Sequence, residues 1–432
     1  MGTRLSFWLK FSALATLPLA WASAQTAAAP QRTVAQPAPA PAVVPPAGPV
    51  APPVPVVLPP LLWHPRDAQE LLAFIQQIGS EGLDPVDYDP AGLIAALRSG
   101  NPVLMSQAAT DRFNLVSSDL ALGHVRGKER VGWHIVDKDL DREQQYALMK
   151  SALVSHQVPA ALLSLLPSHP QYRDLKNALM TTAPTDTAKA NRIRLNMDRW
   201  RWLPRDLGEK YIIVNIPAFY VALVENGVTK WRQRAVAGAI KTPTPMLSVM
   251  ATGVSLNPWW EVPKSIEGEV RGKKGFVALR GKDGKIQRWR QPPGPSNALG
   301  QLKFVMYNPY NIYLHDTNAR SRFNATSAGR ALSHGCVRTE HVLDLATELL
   351  GDDGGEWTSE KIQETLASKK SKQANFVKPV PVHIVYFSVA ALTDGTIVNY
   401  TDVYKRDDQV IAALLDDDGK APGKPEKKVA TN

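Results

Sequence analysis

The chain has 432 residues, of which 44% are hydrophobic and 21% are charged, so it is long and apolar enough for a sizeable core and two domains. Its net charge of +10 comes without a nucleic-acid-binding motif, which favours an anionic wall or membrane surface, or simply solubility, as the reason for the charge. Cys336 is the only cysteine, which excludes an internal disulfide.

The amino terminus has the pattern of an export signal. Arg4 and Lys10 form a positive segment, residues 11–20 are a short apolar run, and residues 22–24 are a small-residue cleavage site. The apolar run is too short to cross a bilayer comfortably. We therefore predict a signal peptide over residues 1–24 and a periplasmic protein, with an uncleaved anchor in the inner membrane as the alternative.

The next part of the chain is predicted to be a linker followed by a helical domain. Residues 25–62 are rich in Pro, Ala and Val, which indicates an extended, disordered linker that serves as a tether or a plain spacer. Beyond it, apolar residues recur at helical spacing, as in Leu71, Phe74 and Ile78. Strand signals are few, so we predict a helical scaffold domain over residues 63–182.

The pattern changes to that of a β-rich domain, predicted over residues 192–405. Residues 211–216 are dense in β-branched side chains, and residues 226–227 are an Asn-Gly hairpin turn. Residues 264–300 are rich in Gly and Lys, which favours a lid-like insertion over a plain solvated loop. The charged tail over residues 416–432 is predicted to be disordered.

Cys336 is a candidate nucleophile, because a lone thiol near histidines can be activated by losing its proton to an imidazole. His315 is the predicted base, since it ends an apolar run over residues 311–314 that has the pattern of a strand. We expect the two groups to form a thiolate–imidazolium ion pair. His334 would need a strained turn to reach the thiol, so we place it on the oxyanion side. A buried, inert thiol is the alternative.

A helix is predicted immediately after the thiol. Thr339 is a suitable N-cap for a helix over residues 340–350, with Val342 and Leu349 on its apolar face. Cys336 would then lie just ahead of the helix N-terminus. The positive end of the helix dipole is expected to help hold the thiolate.

The residues around the thiol resemble a known signature. Ser333-His334-Gly335-Cys336-Val337-Arg338, with His315-Asp316-Thr317 upstream, is similar to the two motif blocks of the L,D-transpeptidase (YkuD) catalytic domain. Further matches to the large periplasmic, YcbB-like branch of that family lie at residues 199–204, 242–245, 257–263, 290–295 and 297–300. The resemblance covers residues 63–404.

This resemblance implies an α+β protein, in which a helical scaffold domain precedes a mainly antiparallel β-sandwich catalytic domain with a lid insertion. It implies a peptidoglycan L,D-transpeptidase that uses no cofactor or metal, forms 3-3 cross-links through a cysteine acyl-enzyme and is a carbapenem target. Cys336 would attack a tetrapeptide stem, His315 would be the base, and the Asp316 carbonyl would orient the imidazole. The amides of Gly335 and Cys336, with His334, would form the oxyanion hole.

Four residues are assigned to substrate binding on the same basis. Arg338 would pair with a stem carboxylate, unless it is a surface arginine. Trp259 would face an acyl chain, unless it belongs to the core. Ser333 and Tyr313 complete the set. The expected partners are peptidoglycan stem peptides and wall synthases, with no nucleic acid.

Other functions remain open at this point. A zinc site would use Cys336, His315, His334 and His341, but their spacing is unlike the short, regular spacing of zinc ligands. A non-catalytic wall-binding or scaffolding protein would keep the same fold. Within the enzyme class, an L,D-carboxypeptidase or a protein-to-peptidoglycan ligase would use the same thiol.

Overall fold

The computed structural model describes residues 58–416, apart from residues 137, 327, 353 and 393. The predicted signal peptide over residues 1–24, the linker up to residue 57 and all but the first residue of the predicted tail lie outside the described residues. Within the described part, no helix is long and apolar enough to cross a membrane.

The first part of the described chain is helical. Prolines occupy the first turn of five of its six helices, where the fixed φ and the missing N–H of proline are tolerated. The fourth helix instead begins with a capping box between Asp141 and Gln144. The helices are α1 (Pro65–Gln77), α2 (Pro90–Arg98), α3 (Pro102–Leu122), α4 (Arg142–Ser155), α5 (Val158–Leu163) and α6 (Pro170–Thr181).

The second part is rich in β-strands, and its helices pack around them. The helices are α7 (Thr187–Arg201), α8 (Glu267–Val270), α9 (Val342–Gly351), α10 (Ser359–Ala367) and α11 (Asp407–Leu414). The first seven strands are β1 (Lys210–Asn215), β2 (Tyr220–Glu225), β3 (Val228–Gly238), β4 (Leu247–Leu256), β5 (Trp260–Glu261), β6 (Val277–Arg280) and β7 (Ile286–Gln291). The remaining strands are β8 (Leu302–Met306), β9 (Leu314–His315), β10 (Ala331–Ser333), β11 (Val337–Thr339), β12 (Lys372–Val385), β13 (Val389–Ala391) and β14 (Ile397–Asn399).

The main sheet is a nine-stranded sheet in the order β10-β3-β11-β9-β8-β4-β12-β1-β2, and a further pairing of β2 with β3 closes it into a circuit. Three of its strand pairs are parallel, namely β1 with β12, β10 with β3 and β11 with β9. The predicted α+β class, with a helical scaffold before a β-rich domain, is confirmed. The other six pairs of the sheet are antiparallel, so the sheet is mixed in detail but mainly antiparallel, as expected.

The predicted lid region has its own secondary structure. Strands β5, β7 and β6 form a separate three-stranded sheet. Val262, Ile266 and Val270 bury their side chains beneath it, which gives this insertion a small core of its own. Gly284 forms the turn between β6 and β7 with a φ of +75°, a conformation that favours glycine.

A buried network of polar side chains joins the helical part to the β-rich part. We call it the interface network and define it as Glu81, Tyr172, Asp198 and Arg201. The Arg201 guanidinium lies 3.3 Å from the Asp198 carboxylate and donates to the Tyr172 hydroxyl at 2.6 Å. Tyr172 donates in turn to the Glu81 carboxylate at 2.9 Å. The Arg201 and Asp198 side chains, both on α7, are 1% and 0% exposed, and Arg201 contacts the helical part through the Tyr172 hydroxyl and the Glu81 carbonyl.

Candidate active site

Two short strands bring the motif blocks together. In the parallel pairing of β9 with β11, His315 lies opposite Arg338, and in the antiparallel pairing of β9 with β8 it lies opposite Lys303. Residues that pair across neighbouring strands point to the same face of a sheet. Lys303, His315 and Arg338 therefore form a row across three strands, which we call the cross-strand row.

Cys336 immediately precedes β11 and lies two residues before Arg338, so continuing the side-chain alternation of the strand by one residue puts it on the same face as the row. The thiol and the imidazole thus belong to one face of two adjacent strands. The Cys336 side chain is half-buried, and its Sγ lies 3.5 Å from the Asn311 carbonyl oxygen. It opens into a cavity of about 420 Å³. The other residues that line this cavity are Trp260, Glu261, Val262, Pro263, Lys264, Glu267, Gln287, Arg288, Leu299, Lys303, Asn311 and Tyr313.

His315 is held in one orientation by the residue that follows it. Its Nδ1 lies 2.5 Å from the Asp316 carbonyl oxygen, and because a carbonyl can only accept, Nδ1 carries the proton of the neutral ring. Nε2 is then the ring atom that can accept a proton. The Asp316 carboxylate accepts from the Gln301 amide at 2.9 Å and from the Arg320 guanidinium at 3.1 Å, which fixes Asp316 itself.

The charge state of the pair differs from the predicted ion pair. Burial, with a contribution from Arg338, lowers the pKa of His315 to about 4. Burial also raises the pKa of the Cys336 thiol, although a hydrogen bond from the Tyr313 backbone and the charges of Lys303 and Arg338 oppose that rise. Both groups are therefore neutral at pH 7 in the free protein. The expectation of a resting thiolate–imidazolium pair is wrong, because burial disfavours both charged forms.

The turn that carries the thiol is held from inside by Ser333. The Ser333 hydroxyl donates to the Cys336 carbonyl at 2.5 Å and accepts from the Gly335 amide at 3.1 Å. Ser333 is only 3% exposed, so its predicted contact with substrate is corrected to a bracing contact within the turn. The Gly335 amide is engaged and cannot also serve an oxyanion hole as predicted. The Cys336 amide finds no acceptor among the described residues and is the better donor.

A second set of contacts braces the same turn from outside. The hydroxyl of Thr244 donates to the Gly335 carbonyl at 2.7 Å, and that of Thr242 donates to the Ser333 carbonyl at 3.0 Å. Tyr404 holds the segment that carries both threonines, because its hydroxyl accepts from the Thr244 amide at 3.1 Å and donates to the Gly238 carbonyl at 2.8 Å. Residues 242–245 thus support the turn from outside, and they do not line the cavity.

The chain continues after the thiol as a strand, so the predicted helix start is wrong. Thr339, predicted as an N-cap, pairs with Ala235 in the sheet. Helix α9 begins at Val342, with His341 as its N-cap residue. The backbone hydrogen bonds of β11 satisfy the amides that a helix N-terminus would have left free. Cys336 therefore has no helix N-terminus directly behind it.

Two predicted site residues, His334 and Trp259, do not face the thiol. His334 is exposed, and its Nε2 lies 3.2 Å from Glu269 in α8, so it contacts the lid rather than the oxyanion side of the thiol. Trp259 is half-buried against the Arg290 guanidinium, which lies 4.1 Å from its ring centroid. Its neighbour Trp260 lines the cavity instead. The two tryptophans are adjacent in sequence, and sequence alone did not indicate which of them faces the thiol.

Tyr313 and Arg338 lie near the thiol, and their contacts with substrate stay predictions. Tyr313 is half-buried and lines the cavity. Arg338 is half-buried and forms no ion pair with a carboxylate of the described residues. Lys303 was missed by the sequence analysis, although its place directly before the apolar residues 304–306 was an available signal. The described residues contain no group of three or more His, Cys, Asp or Glu side chains placed to hold a metal ion.

Comparisons with known proteins show which families two parts of the chain match. Residues 209–384 match a family model described as the L,D-transpeptidase catalytic domain, and residues 59–179 match one described as a scaffold domain. A Haemophilus influenzae protein, provisionally named as an L,D-transpeptidase, is 30% identical over 293 residues, which cover 61% of this chain and 58% of the relative. The chain thus spans less than two thirds of that relative's length.

Solved structures were compared as well. A variant of the Enterococcus faecium L,D-transpeptidase aligns with a TM-score of 0.24 and 12% identity, covering 42% of this chain and 52% of that chain. Mycobacterium tuberculosis L,D-transpeptidase 1 aligns with a TM-score of 0.20 and 13% identity, covering 41% of this chain and 61% of that chain. TM-scores of this size carry no structural argument.

Proposed function

Since this chain belongs to the L,D-transpeptidase family through its catalytic domain at residues 209–384, we propose that it is a periplasmic enzyme that forms 3-3 cross-links between peptidoglycan stems through a thioester on Cys336. The observation that carries this proposal is the placement of Cys336 and His315 on one face of two paired strands, beside a cavity of about 420 Å³. The hydrogen bond from His315 to the Asp316 carbonyl leaves Nε2 as the proton acceptor.

The first half of the reaction forms the acyl-enzyme. His315 Nε2 takes the thiol proton while the sulfur of Cys336 bonds to the carbonyl carbon of an L,D peptide bond, and the carbonyl electron pair moves to its oxygen. The free Cys336 amide is the donor available to that oxygen. When the intermediate collapses, the C–N bond breaks and the imidazolium returns its proton to the leaving amine.

The second half transfers the acyl group. The side-chain amine of a second stem loses a proton to His315 and attacks the thioester, and the thiolate that leaves regains that proton. The products are a 3-3 cross-linked dimer and the free thiol. Water in place of the amine would give a shortened stem, which is the L,D-carboxypeptidase outcome.

A neutral resting pair suits an enzyme that ionises its thiol only when substrate is bound. Lys303 and Arg338 both favour the thiolate through their charges. Substrate that excludes water from the cavity lowers the local dielectric constant. A lower dielectric constant strengthens these charge interactions. Proton transfer and attack on the carbonyl are therefore coupled.

The test uses the full chain with two reagents. Ertapenem should add one carbapenem mass to the wild type and none to Cys336→Ala, as measured by intact-protein mass spectrometry. Disaccharide tetrapeptide should then give a dimer with a 3-3 bond, identified by tandem mass spectrometry. An adduct on the alanine variant would refute the thioester, whereas release of D-alanine without any dimer would replace the transferase with the carboxypeptidase. Fractionation of cells that express the chain tests the periplasmic location.

A further inference from the structure

Lys303 lies beside the thiol, and the reaction described above assigns it only a charge effect on the thiolate and no contact with substrate. It lies opposite His315 in the pairing of β8 with β9, and it lines the cavity that contains Cys336. Its Nζ lies 4.7 Å from the centroid of the Tyr313 ring, which also lines the cavity. The side chain is half-buried, so its ammonium is partly removed from water.

The ammonium has no carboxylate partner within the described part of the chain. Glu261, the carboxylate whose charge acts on Lys303, lines the same cavity, but it forms its ion pair with Arg288, at 3.6 Å, and not with Lys303. Burial lowers the pKa of Lys303, while the charges of Cys336 and Glu261 raise it. A half-buried cation that faces a cavity without a counter-ion is suited to bind an anion of the substrate.

The stem peptide that donates the acyl group carries such an anion into the cavity. A stem cut at its last peptide bond ends in a free carboxylate, and three covalent bonds join that carboxylate carbon to the carbonyl carbon under attack. Bond lengths of about 1.3 to 1.5 Å keep the two carbons within about 4 Å of each other. A carbonyl at the sulfur of Cys336 therefore carries the terminal carboxylate within the same small cavity.

We propose that Lys303 is a specificity-determining residue that binds the terminal carboxylate of the leaving amino acid, so that the site selects stems with a free carboxylate one residue beyond the bond it cuts. This inference rests on the proposed function and names the part of the donor that the cavity recognises.

The other cations near the thiol are less suited to this role. Arg338 lies on the far side of His315 from Lys303 and does not line the cavity. Lys264 and Arg288 line the cavity from the lid, but both side chains are exposed, and Arg288 is near Glu261. Exposed charges are screened by water and contribute little to binding. Lys303 is the cation of the cavity wall that is both half-buried and unpaired.

The experiment compares two donors that differ only at the proposed contact. One is disaccharide tetrapeptide, and the other is the same compound with a carboxamide at its terminus. Release of D-alanine or D-alaninamide is measured by mass spectrometry for the wild type and for Lys303→Met, Lys303→Arg and Lys372→Met. Lys372 is the matched control, because its Nζ also lies over an aromatic ring, 5.0 Å from the centroid of Trp357, outside the cavity.

The wild type and Lys372→Met should prefer the carboxylate donor by about 10- to 100-fold in kcat/KM, the range expected for a hydrogen bond to a charged group. Lys303→Met should bring this ratio close to one, and Lys303→Arg should keep part of the preference. A wild type without preference, or a Lys303→Met variant that keeps it, overturns the inference. A lysine that acts only on the thiol would slow both donors equally, which also overturns it.

Two further results separate the inference from the proposed function. If the wild type releases neither leaving group and gains no carbapenem adduct, the proposed function fails whatever Lys303 does. If Lys303→Met does not fold, Lys303→Gln removes the charge while keeping a polar side chain, and it must lose the preference for the carboxylate donor as well. A Lys303→Gln variant that prefers the carboxylate as strongly as the wild type overturns the inference.

Discussion

The interface network and the cross-strand row differ in whether their positively charged side chains are paired with carboxylates. In the network, Arg201 lies within 3.3 Å of Asp198 and donates to the Tyr172 hydroxyl, with its side chain 1% exposed. In the row, Lys303 and Arg338 are half-buried and form no ion pair with a carboxylate of the described residues. The network joins two parts of the protein, whereas Lys303 of the row lines the cavity that contains Cys336.

This difference indicates which charged side chains contribute to the stability of the fold and which are available to bind a ligand. Removing one partner of a buried, paired group leaves the other without compensation, so the network should be sensitive to substitution. An unpaired cation that is partly desolvated makes a smaller contribution to the folded state, and it can gain a partner only from a ligand. Substitutions in the two regions should therefore separate stability from activity.

The largest expected effect is on activity alone. Cys336→Ala removes the nucleophile, so we expect complete loss of the carbapenem adduct and of cross-linked dimer. The melting temperature should stay close to that of the wild type, because the polar contacts of the half-buried sulfur, with the Asn311 carbonyl at 3.5 Å and the Tyr313 backbone, are weak sulfur hydrogen bonds. Intact-protein mass spectrometry and thermal unfolding measure the two outcomes. A large fall in melting temperature would show that the thiol has a structural role.

The interface network should show the reverse. Arg201→Met leaves the Asp198 carboxylate buried without its charged partner, so we expect about 3–5 kcal/mol less stability. The protein that remains folded should react with a carbapenem at the wild-type rate. Arg66→Met is the control, since Arg66 forms an exposed ion pair with Glu70 at 3.1 Å, worth about 1 kcal/mol or less. Urea unfolding of both variants tests this contrast, and equal losses would contradict it.

Ser333→Ala should affect both properties modestly. It removes the hydroxyl that holds the Gly335 amide and the Cys336 carbonyl, so we expect about 1–3 kcal/mol less stability and roughly tenfold slower acylation. Ser333→Thr keeps the hydroxyl and should recover part of the rate. Stopped-flow acylation by a carbapenem measures the effect. An alanine variant that reacts as fast as the wild type would show that the turn keeps its geometry without this side chain.

The smallest effect is a dependence of stability on pH. His315 and His169 both have a pKa of about 4, chiefly because burial disfavours the charged ring. The unfolded chain binds protons near pH 6.5 and the folded one does not, so stability present above pH 6.5 is lost as the pH falls toward 4. Each histidine should contribute a slope of about 1.4 kcal/mol per pH unit.

Urea unfolding at several pH values measures that slope, and His169→Gln serves as the comparison. His169 stacks on Trp200 with ring centroids 4.3 Å apart, away from the thiol, so its replacement should remove one of the two contributions. An unchanged slope in this variant would show that the ring titrates normally in the folded protein.

The sequence predicted the helices and strands in which a pattern of apolar side chains repeats over several residues. The β-branched run now seen as β1 and the helical spacing of α1 are long enough to give a clear periodicity. The two motif blocks also named the thiol and its imidazole. Strands β9 and β11 have only two and three residues, so no periodicity could reveal them.

The remaining features depend on contacts between distant segments. Thr339 has a residue type typical of an N-cap, but its pairing with Ala235 overrides that local preference. The neutral state of His315 follows from its burial, which the sequence does not give. The same holds for Lys303, whose importance depends on the register that sets it opposite His315. The direction in which Trp259 and Trp260 point is likewise a property of the folded lid.

Tyr404 lies well beyond the catalytic motif, yet its hydroxyl joins Thr244 to Gly238 behind the turn that carries the thiol. A nascent chain whose synthesis has reached only Cys336 therefore lacks this brace. A chain truncated before Tyr404 should therefore hold the turn at the nucleophile less firmly, although every motif residue is present.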